Sequence, residues 1–238
     1  MKAIILAAGY ATRLYPLTEN FPKPLLEVGG KPILDWLIED LTPCMDTFIV
    51  VANHKFAGHF QAWARDNVRV IDDGTETNET RLGAVRDILL ASQGIDDDVF
   101  VMAGDNVLDF SLVPFIRFSQ EKGTSCVMCH EENDLAHLQR TAVITVDESG
   151  RITSYEEKPK EPKGNLAVPP FYYYRKEDLA RIPEALAAGC GYDAPGSYAA
   201  WLSTKTPMHA WKMTGSRHDI GDRQSYDSIR ECYRGITK

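Results

Sequence analysis

The sequence predicts an α/β fold, a Rossmann-like, mostly parallel (mixed) sheet flanked by helices. Two observations predict it. Short apolar runs alternate with longer amphipathic ones through the first half, the pattern of βαβ units whose sheet is covered on both faces. The first apolar run then ends in a turn of small residues, Ala7-Ala8-Gly9, and open α/β sheets place their ligands beyond the carboxyl ends of their strands.

Strands are expected at residues 2–6, 47–52, 68–71, 99–103 and 125–130. Between them, helices are expected at 32–41, 57–65, 83–92 and 111–122. The first helix is the clearest, because Pro32 suits the first helical position and Ile33, Leu34, Leu37, Ile38 and Leu41 recur at helical spacing. In the second half, runs at 141–146 and 152–157 flank the turn sequence Asp147-Glu148-Ser149-Gly150 and predict a hairpin. Further strands are expected at 167–174 and 208–213, with helices at 176–188, 195–202 and 222–233. Asp222 is a candidate N-cap of the last helix, and Tyr226, Ile229 and Tyr233 fall along one stripe of it. No repeat or long linker divides the chain, so residues 1–238 are expected to form a single domain.

The net charge of −8 argues against a nucleic-acid partner, since phosphate backbones are gripped by clustered Lys and Arg. No stretch nears the roughly 20 apolar residues that span a bilayer. The run from Ala3 to Ala8 is short and soon meets Arg13, so it reads as a buried strand, and the chain as a cytoplasmic protein without a membrane partner. The cysteines (Cys44, Cys126, Cys129, Cys190 and Cys232) show no disulfide framework and no metal-ligand spacing. Cys126 and Cys129 form a lone C-x-x-C inside an apolar run and read as core thiols.

Several residues carry chemistry. Small residues after the first strand let backbone N–H groups approach phosphate, and Arg13 adds a bidentate cationic fork. The turn is neither G-x-G-x-x-G nor a Walker loop, and no acidic residue ends the second strand near Ala52, which disfavours a dinucleotide-binding oxidoreductase. Phe21-Pro22-Lys23-Pro24-Leu25 holds a lysine between two stiffening prolines. The strand at 99–103 runs into Gly104-Asp105-Asn106, which would present a carboxylate at the sheet's carboxyl edge.

Together, the L-A-A-G-x-x-x-R-L run from Leu6 to Leu14 and Pro22-Lys23-Pro24-Leu25 before a hydrophobic helix resemble the opening of the sugar-phosphate nucleotidyltransferases. The likeness is close to glucose-1-phosphate thymidylyltransferases and their shorter relatives that act on other sugar phosphates or phosphocholine. It implies the nucleotide-diphospho-sugar transferase type of fold, with a nucleotide-binding half at about residues 1–123 and a substrate-binding half at about 124–238. By the same resemblance, Leu6, Ala8, Gly9 and Arg13 hold the nucleotide, Lys23 offsets charge at the reacting phosphorus, and Asp105 binds Mg²⁺ with Asn106 at the substrate.

Glu156-Glu157-Lys158-Pro159, followed by Gly164-Asn165-Leu166-Ala167-Val168, is similar to the family's E-K-P…S-N-x-A-V segment, with Gly164 in place of serine. There the Glu contacts a sugar hydroxyl and the Lys the substrate phosphate, which assigns Glu157, Lys158 and Asn165 to the acceptor. His218-Asp219-Ile220-Gly221 resembles W-x-D-T-G and makes Asp219 a second Mg²⁺ ligand; His218 is given no catalytic role. The family's base-reading loop ends in D-G-L-A-Q. Here Leu82-Gly83 fits it loosely, the Gln is absent, and Asn78 or Thr80 and backbone groups would read the base.

The resemblance therefore implies a Mg²⁺-dependent nucleotidyltransferase in which Arg13, Lys23, Asp105 and Lys158 are catalytic. Its partners would be a nucleoside triphosphate and a sugar 1-phosphate or other small phosphorylated substrate, and a homo-oligomer is an open option. One alternative is a cytidylyltransferase for phosphocholine, whose quaternary ammonium would want aromatic faces such as Tyr172, Tyr173, Tyr174, Trp201 or Trp211. Another is a non-catalytic subunit that senses a nucleotide-sugar, although such a sensor need not keep Arg13, Lys23, Asp105 and Asp219 together.

Overall fold

The computed structural model describes residues 1–237. Two compact units interleave along the chain. The first comprises Met1–Leu82, Ala103–Val113 and the stretch from Thr214 onward; the second comprises Gly83–Met102 and Pro114–Met213.

In the first unit, Lys2–Leu6, Thr47–Ala52 and Val68–Asp72 pair in parallel. Ala3, Ile4 and Ile5 are fully buried, as is the run Val50-Val51-Ala52; strands covered on both faces need such continuous apolar sequence. Leu34, Leu37, Ile38 and Leu41 bury one side of the helix Ile33–Leu41. Pro32 is extended and caps that helix instead of occupying its first turn. The second helix, His54–Trp63, begins earlier than its apolar pattern suggests, because the buried Asn53 caps it by accepting from Phe56 N at 3.0 Å. The last helix, Arg223–Cys232, follows expectation: Asp222 and Ser225 form a capping box, and Tyr226, Ile229 and Tyr233 are buried. One pairing has no periodic signature at all. Asn106–Leu108 lies antiparallel to Arg217–Asp219 in a two-stranded sheet.

In the second unit the strand order is Ile152–Glu157, Ala142–Val146, Leu166–Val168, Ser125–Glu131, Phe171–Tyr174, Val99–Ala103. Met208–Lys212 adds a parallel partner to Ser125–Glu131. The hairpin expected around Asp147 is present, its turn tied by Asp147 Oδ1 accepting from Ser149 N and Arg151 N. The strand expected at 167–174 is two strands, because Pro169 and Pro170 lack the N–H groups a ladder needs. The helix expected at 176–188 is likewise two, Lys176–Leu179 and Ile182–Ala187, with Pro183 in the first turn of the second. Phe100 stacks on Phe171 at 6.4 Å and meets Phe115 edge-on, filling this unit's core. All five cysteines are free. Cys126 and Cys129 are buried, and burial pushes the Cys129 thiol up to about 11, so they are core thiols. Among the described residues no helix is long and apolar enough to cross a membrane.

Candidate active site

In the first unit, the chain leaves its opening strand at Leu6 and turns through Ala7-Ala8-Gly9. Gly9 is exposed, and a side chain there would meet nothing within 4 Å, so the turn has open space beside it. Ala11 takes a left-handed conformation (φ 46°), held by Thr18 Oγ1 donating to its carbonyl at 2.8 Å. That bend starts the short 3₁₀ turn Thr12–Leu14, which buries Leu14 and leaves Arg13 exposed. Arg13 makes no ion pair among the described residues, so its guanidinium remains available to an anion.

Lys23 is not the solvated loop lysine its prolines alone would suggest. Only 7% exposed, it begins the 3₁₀ turn Lys23–Leu25 and donates from Nζ to Asp105 Oδ2 at 2.8 Å. Burial pushes the Asp105 carboxyl up, but the Lys23 ammonium and, beyond it, the Arg217 guanidinium outweigh this and hold it below the usual carboxylate range. The Asp105 side chain still keeps 40% of its surface exposed. Gly104 brings it there: its N–H donates to Leu6 O at 3.0 Å, and a Cβ would sit 2.9 Å from Ile5 and 3.0 Å from Leu34.

Asp219 lies directly across the antiparallel pair from Asn106, one residue from Asp105. The two expected metal carboxylates are thus on adjoining stretches of backbone, Asp219 exposed and Asp105 partly so. Asn106, expected at the substrate, is instead buried, its amide occupied by Ala103 O at 3.1 Å and by Arg217 Nη1 at 3.0 Å. Arg217 escaped the sequence reading, since nothing in its neighbourhood marks a strand. His218 pairs opposite Val107, a position in the ladder and not a ligand cluster. No group of three or more His, Cys, Asp and Glu that could hold a metal occurs among the described residues. A cation on Asp105 and Asp219 would take its other oxygens from phosphate and water, which suits a hard, reluctantly dehydrated ion such as Mg²⁺.

The loop expected to read a base is braced locally. Asn78 accepts from Arg81 Nη1 through both its carbonyl (3.1 Å) and its side chain (3.2 Å). Thr80 and Thr77 exchange backbone-to-hydroxyl bonds at 3.3 Å, and Leu82 is half-buried. Gly83 belongs to the second unit and is buried at φ +94°, packed so closely on Tyr192 that a Cβ would fall 2.6 Å from its ring. The amides that follow it, Ala84 and Val85, donate to the carbonyls of Asp193 and Tyr192.

The second unit holds a cavity of about 310 Å³ whose lining includes Arg140, Thr141, Glu157, Lys158, Tyr172 and Gly196. Glu157 Oε2 is buried without a hydrogen-bond partner. Burial pushes this carboxyl up, offset only in part by the Lys158 ammonium. A Cβ at Gly196 would collide with that oxygen, so the carboxylate's seat depends on a glycine there. Lys158 itself is left-handed (φ 49°), a strained state for a residue with a side chain, and its N–H donates to Thr141 O at 3.1 Å. Asn165 is exposed and does not line the cavity; its carbonyl accepts from Glu132 N at 2.9 Å. At Gly164 a Cβ would lie 3.0 Å from Ile144 O, a close approach that glycine avoids.

Residues 2–231 match the family described as Nucleotidyl transferase. The chain is 33% identical to UTP–glucose-1-phosphate uridylyltransferase AglF of Haloferax volcanii, over 97% of this chain and 96% of that protein. It is 30% identical to a glucose-1-phosphate thymidylyltransferase of Streptomyces antibioticus over 73% of this chain, spanning about half (49%) of that longer protein. A Bacillus anthracis structure provisionally described as a glucose-1-phosphate thymidylyltransferase, solved with a sucrose, superposes with a TM-score of 0.78 at 25% identity, covering 100% of this chain and 97% of that one. With a family match over nearly the whole chain and a relative at 33% identity covered nearly end to end, the chain belongs to the nucleotidyl transferase family.

Proposed function

We propose that the chain condenses a nucleoside triphosphate with a sugar 1-phosphate, giving a nucleoside-diphosphate sugar and pyrophosphate, with Mg²⁺ as cofactor. The observation that carries the reading is the pairing of buried Lys23 with the partly exposed Asp105, with Asp219 one register position away. The activity named for AglF, a relative matched nearly end to end, supports it. A phosphate oxygen of the acceptor attacks the α-phosphorus. The bond from that phosphorus to the bridging oxygen of the β-phosphate breaks, and its electron pair leaves with pyrophosphate. The attacking oxygen is already anionic near neutral pH, so no general base is needed and catalysis rests on position and charge.

Each side chain then has one task. Gly9 and Arg13 bind the triphosphate, and Lys23 turns from Asp105 to the α-phosphoryl oxygens. In the second unit's cavity Lys158 anchors the acceptor phosphate and Glu157 accepts hydrogen bonds from sugar hydroxyls. Asp105 and Asp219 would hold Mg²⁺, which when bound supplies positive charge against the α-phosphate. A phosphocholine acceptor is less well served, because of the candidate aromatics only Tyr172 lines the cavity, and it is itself buried. The same proposal gives the chain a cytoplasmic role in making sugar nucleotides, such as precursors of cell-surface polysaccharide.

The test is pyrophosphate release with Mg²⁺ from CTP, UTP, dTTP, GTP and ATP, each against sugar 1-phosphates and phosphocholine. Turnover with a sugar 1-phosphate is expected. Turnover with phosphocholine alone would replace the acceptor, and tight nucleotide-sugar binding without any turnover would replace the enzyme by a sensor.

A further inference from the structure

The turn that bears Gly9 is clamped on both sides by residues that the reaction does not use. Before it, Asn53, fully buried, donates from Nδ2 to Ala8 O at 2.9 Å. After it, Tyr10 is 5% exposed, packs on Phe56, and donates its hydroxyl to Thr75 O at 3.1 Å. The same Thr75 carbonyl accepts from His54 N at 2.9 Å. Thr75 lies in the loop that follows the strand Val68–Asp72 and carries the candidate base readers Asn78 and Thr80, and it is itself buried. Asp73 fixes it further, with Oδ1 accepting from both Thr75 N and Thr75 Oγ1 at 2.7 Å.

We propose that Tyr10 is a specificity-determining positioning residue: its hydroxyl latches the phosphate turn to the base-reading loop, so that the triphosphate and the base are held in one fixed register. The inference rests on the nucleotide reading of this turn given above. Two donors on one carbonyl use both of its lone pairs, which leaves Thr75 little freedom to slide relative to Gly9. Losing one of them leaves the loop in place but free to shift, and a base is then read less sharply. Discrimination should fall by about five- to tenfold, the scale of one buried hydrogen bond.

The experiment is calorimetric binding of CTP, UTP, dTTP, GTP, ATP and inorganic tripolyphosphate to wild type and to Tyr10→Phe. The ratio between the tightest- and weakest-bound nucleotides should fall about five- to tenfold in Tyr10→Phe, with tripolyphosphate affinity unchanged. An unchanged ratio, or an equal loss for tripolyphosphate and nucleotides, would overturn the latch. His54 gives a second arm. It is the first residue of its helix, where proline is tolerated, and Asn53 before it is already extended. His54→Pro removes the N–H bound to Thr75, whereas His54→Ala keeps it. The ratio should fall in the former and hold in the latter; equal behaviour of the two would count against the latch. Binding is read without turnover, so a catalytically silent wild type would sink the proposed reaction while leaving the latch to be judged by its own ratio.

Discussion

Lys23 Nζ lies 2.8 Å from Asp105 Oδ2, so the resident counter-ion of the candidate metal carboxylate is the lysine itself. A divalent cation must displace this ammonium or share its carboxylate. Lys23→Met should therefore bind Mn²⁺ more tightly than wild type in the absence of nucleotide, as read by the loss of the free-ion electron-spin signal. Asp105→Asn should bind it more weakly. The same Lys23→Met protein should lose roughly 10²–10³ in turnover, the scale for removing a preorganised charge-stabilising contact. Equal Mn²⁺ affinity in wild type and Lys23→Met would show that the ion pair does not guard the carboxylate.

Gly104 is a steric requirement. A methyl group there meets Ile5 at 2.9 Å and Leu34 at 3.0 Å, both fully buried. Gly104→Ala should cost about 1–3 kcal/mol by overpacking and move Asp105. Thermal melting and turnover should fall together; a variant that melts like wild type would mean the strand end can give.

Glu157 has a folded-state carboxyl pushed above its usual range by burial. A raised carboxyl means the folded chain binds more protons than the unfolded one, so this group penalises folding as pH rises through the unfolded value of 4.5 toward the folded one. Glu157→Gln should accordingly raise the melting temperature at pH 7–8, with the gain vanishing below about pH 4, while the KM for the acceptor rises about tenfold. Melting curves across that range decide the first point. A gain that persisted in acid would place its origin elsewhere.

Lys158 holds a left-handed backbone at φ 49°, where an L side chain costs about 1–2 kcal/mol and glycine almost nothing. Lys158→Gly should keep or increase denaturation stability and yet lose acceptor binding. Destabilisation by denaturant titration would show that the lysine side chain, and not its strain, matters to the fold.

Much of this architecture is legible in the sequence because its signals are local. Continuous apolar runs mark the buried strands, the spacing of Leu34, Leu37 and Leu41 marks the first helix, and Asp222 announces the last. Glu157 and Lys158 could be named from their motif, and both line the cavity. The prolines that divide the strand at 169–170 and the helix before Pro183 were equally visible, but apolar pattern alone overrides them wrongly. What stays hidden is long-range or carried by the backbone. Three-residue strands such as Arg217–Asp219 have too few residues to show a period, so Arg217 gives no sign of its reach to Asn106. Tyr10 and Asn53 act on carbonyl oxygens, which every residue possesses, and no side-chain pattern points to Thr75 or Ala8 as the acceptor. Asn165 shows the converse: a motif position matched by residue type that is exposed and does not line the cavity Glu157 and Lys158 share.

The interleaving of the first unit sets a schedule for biosynthesis. Asn106–Leu108 finds its strand partner in Arg217–Asp219, and Tyr233 OH and Thr237 N close on the carbonyls of Leu108 and Asp109. Arg217 lies 111 positions after the Asn106 it binds. On the ribosome, Lys2–Leu6 and its parallel neighbours can pair early, while the segment carrying Asp105 waits as an unpaired edge. A nascent chain halted before Thr214 would hold Lys23 and Asp105 but neither Asp219 nor the strand that braces them. The second metal carboxylate therefore arrives late in translation, so prematurely terminated products would carry the phosphate turn without the pair of carboxylates that the reaction calls for.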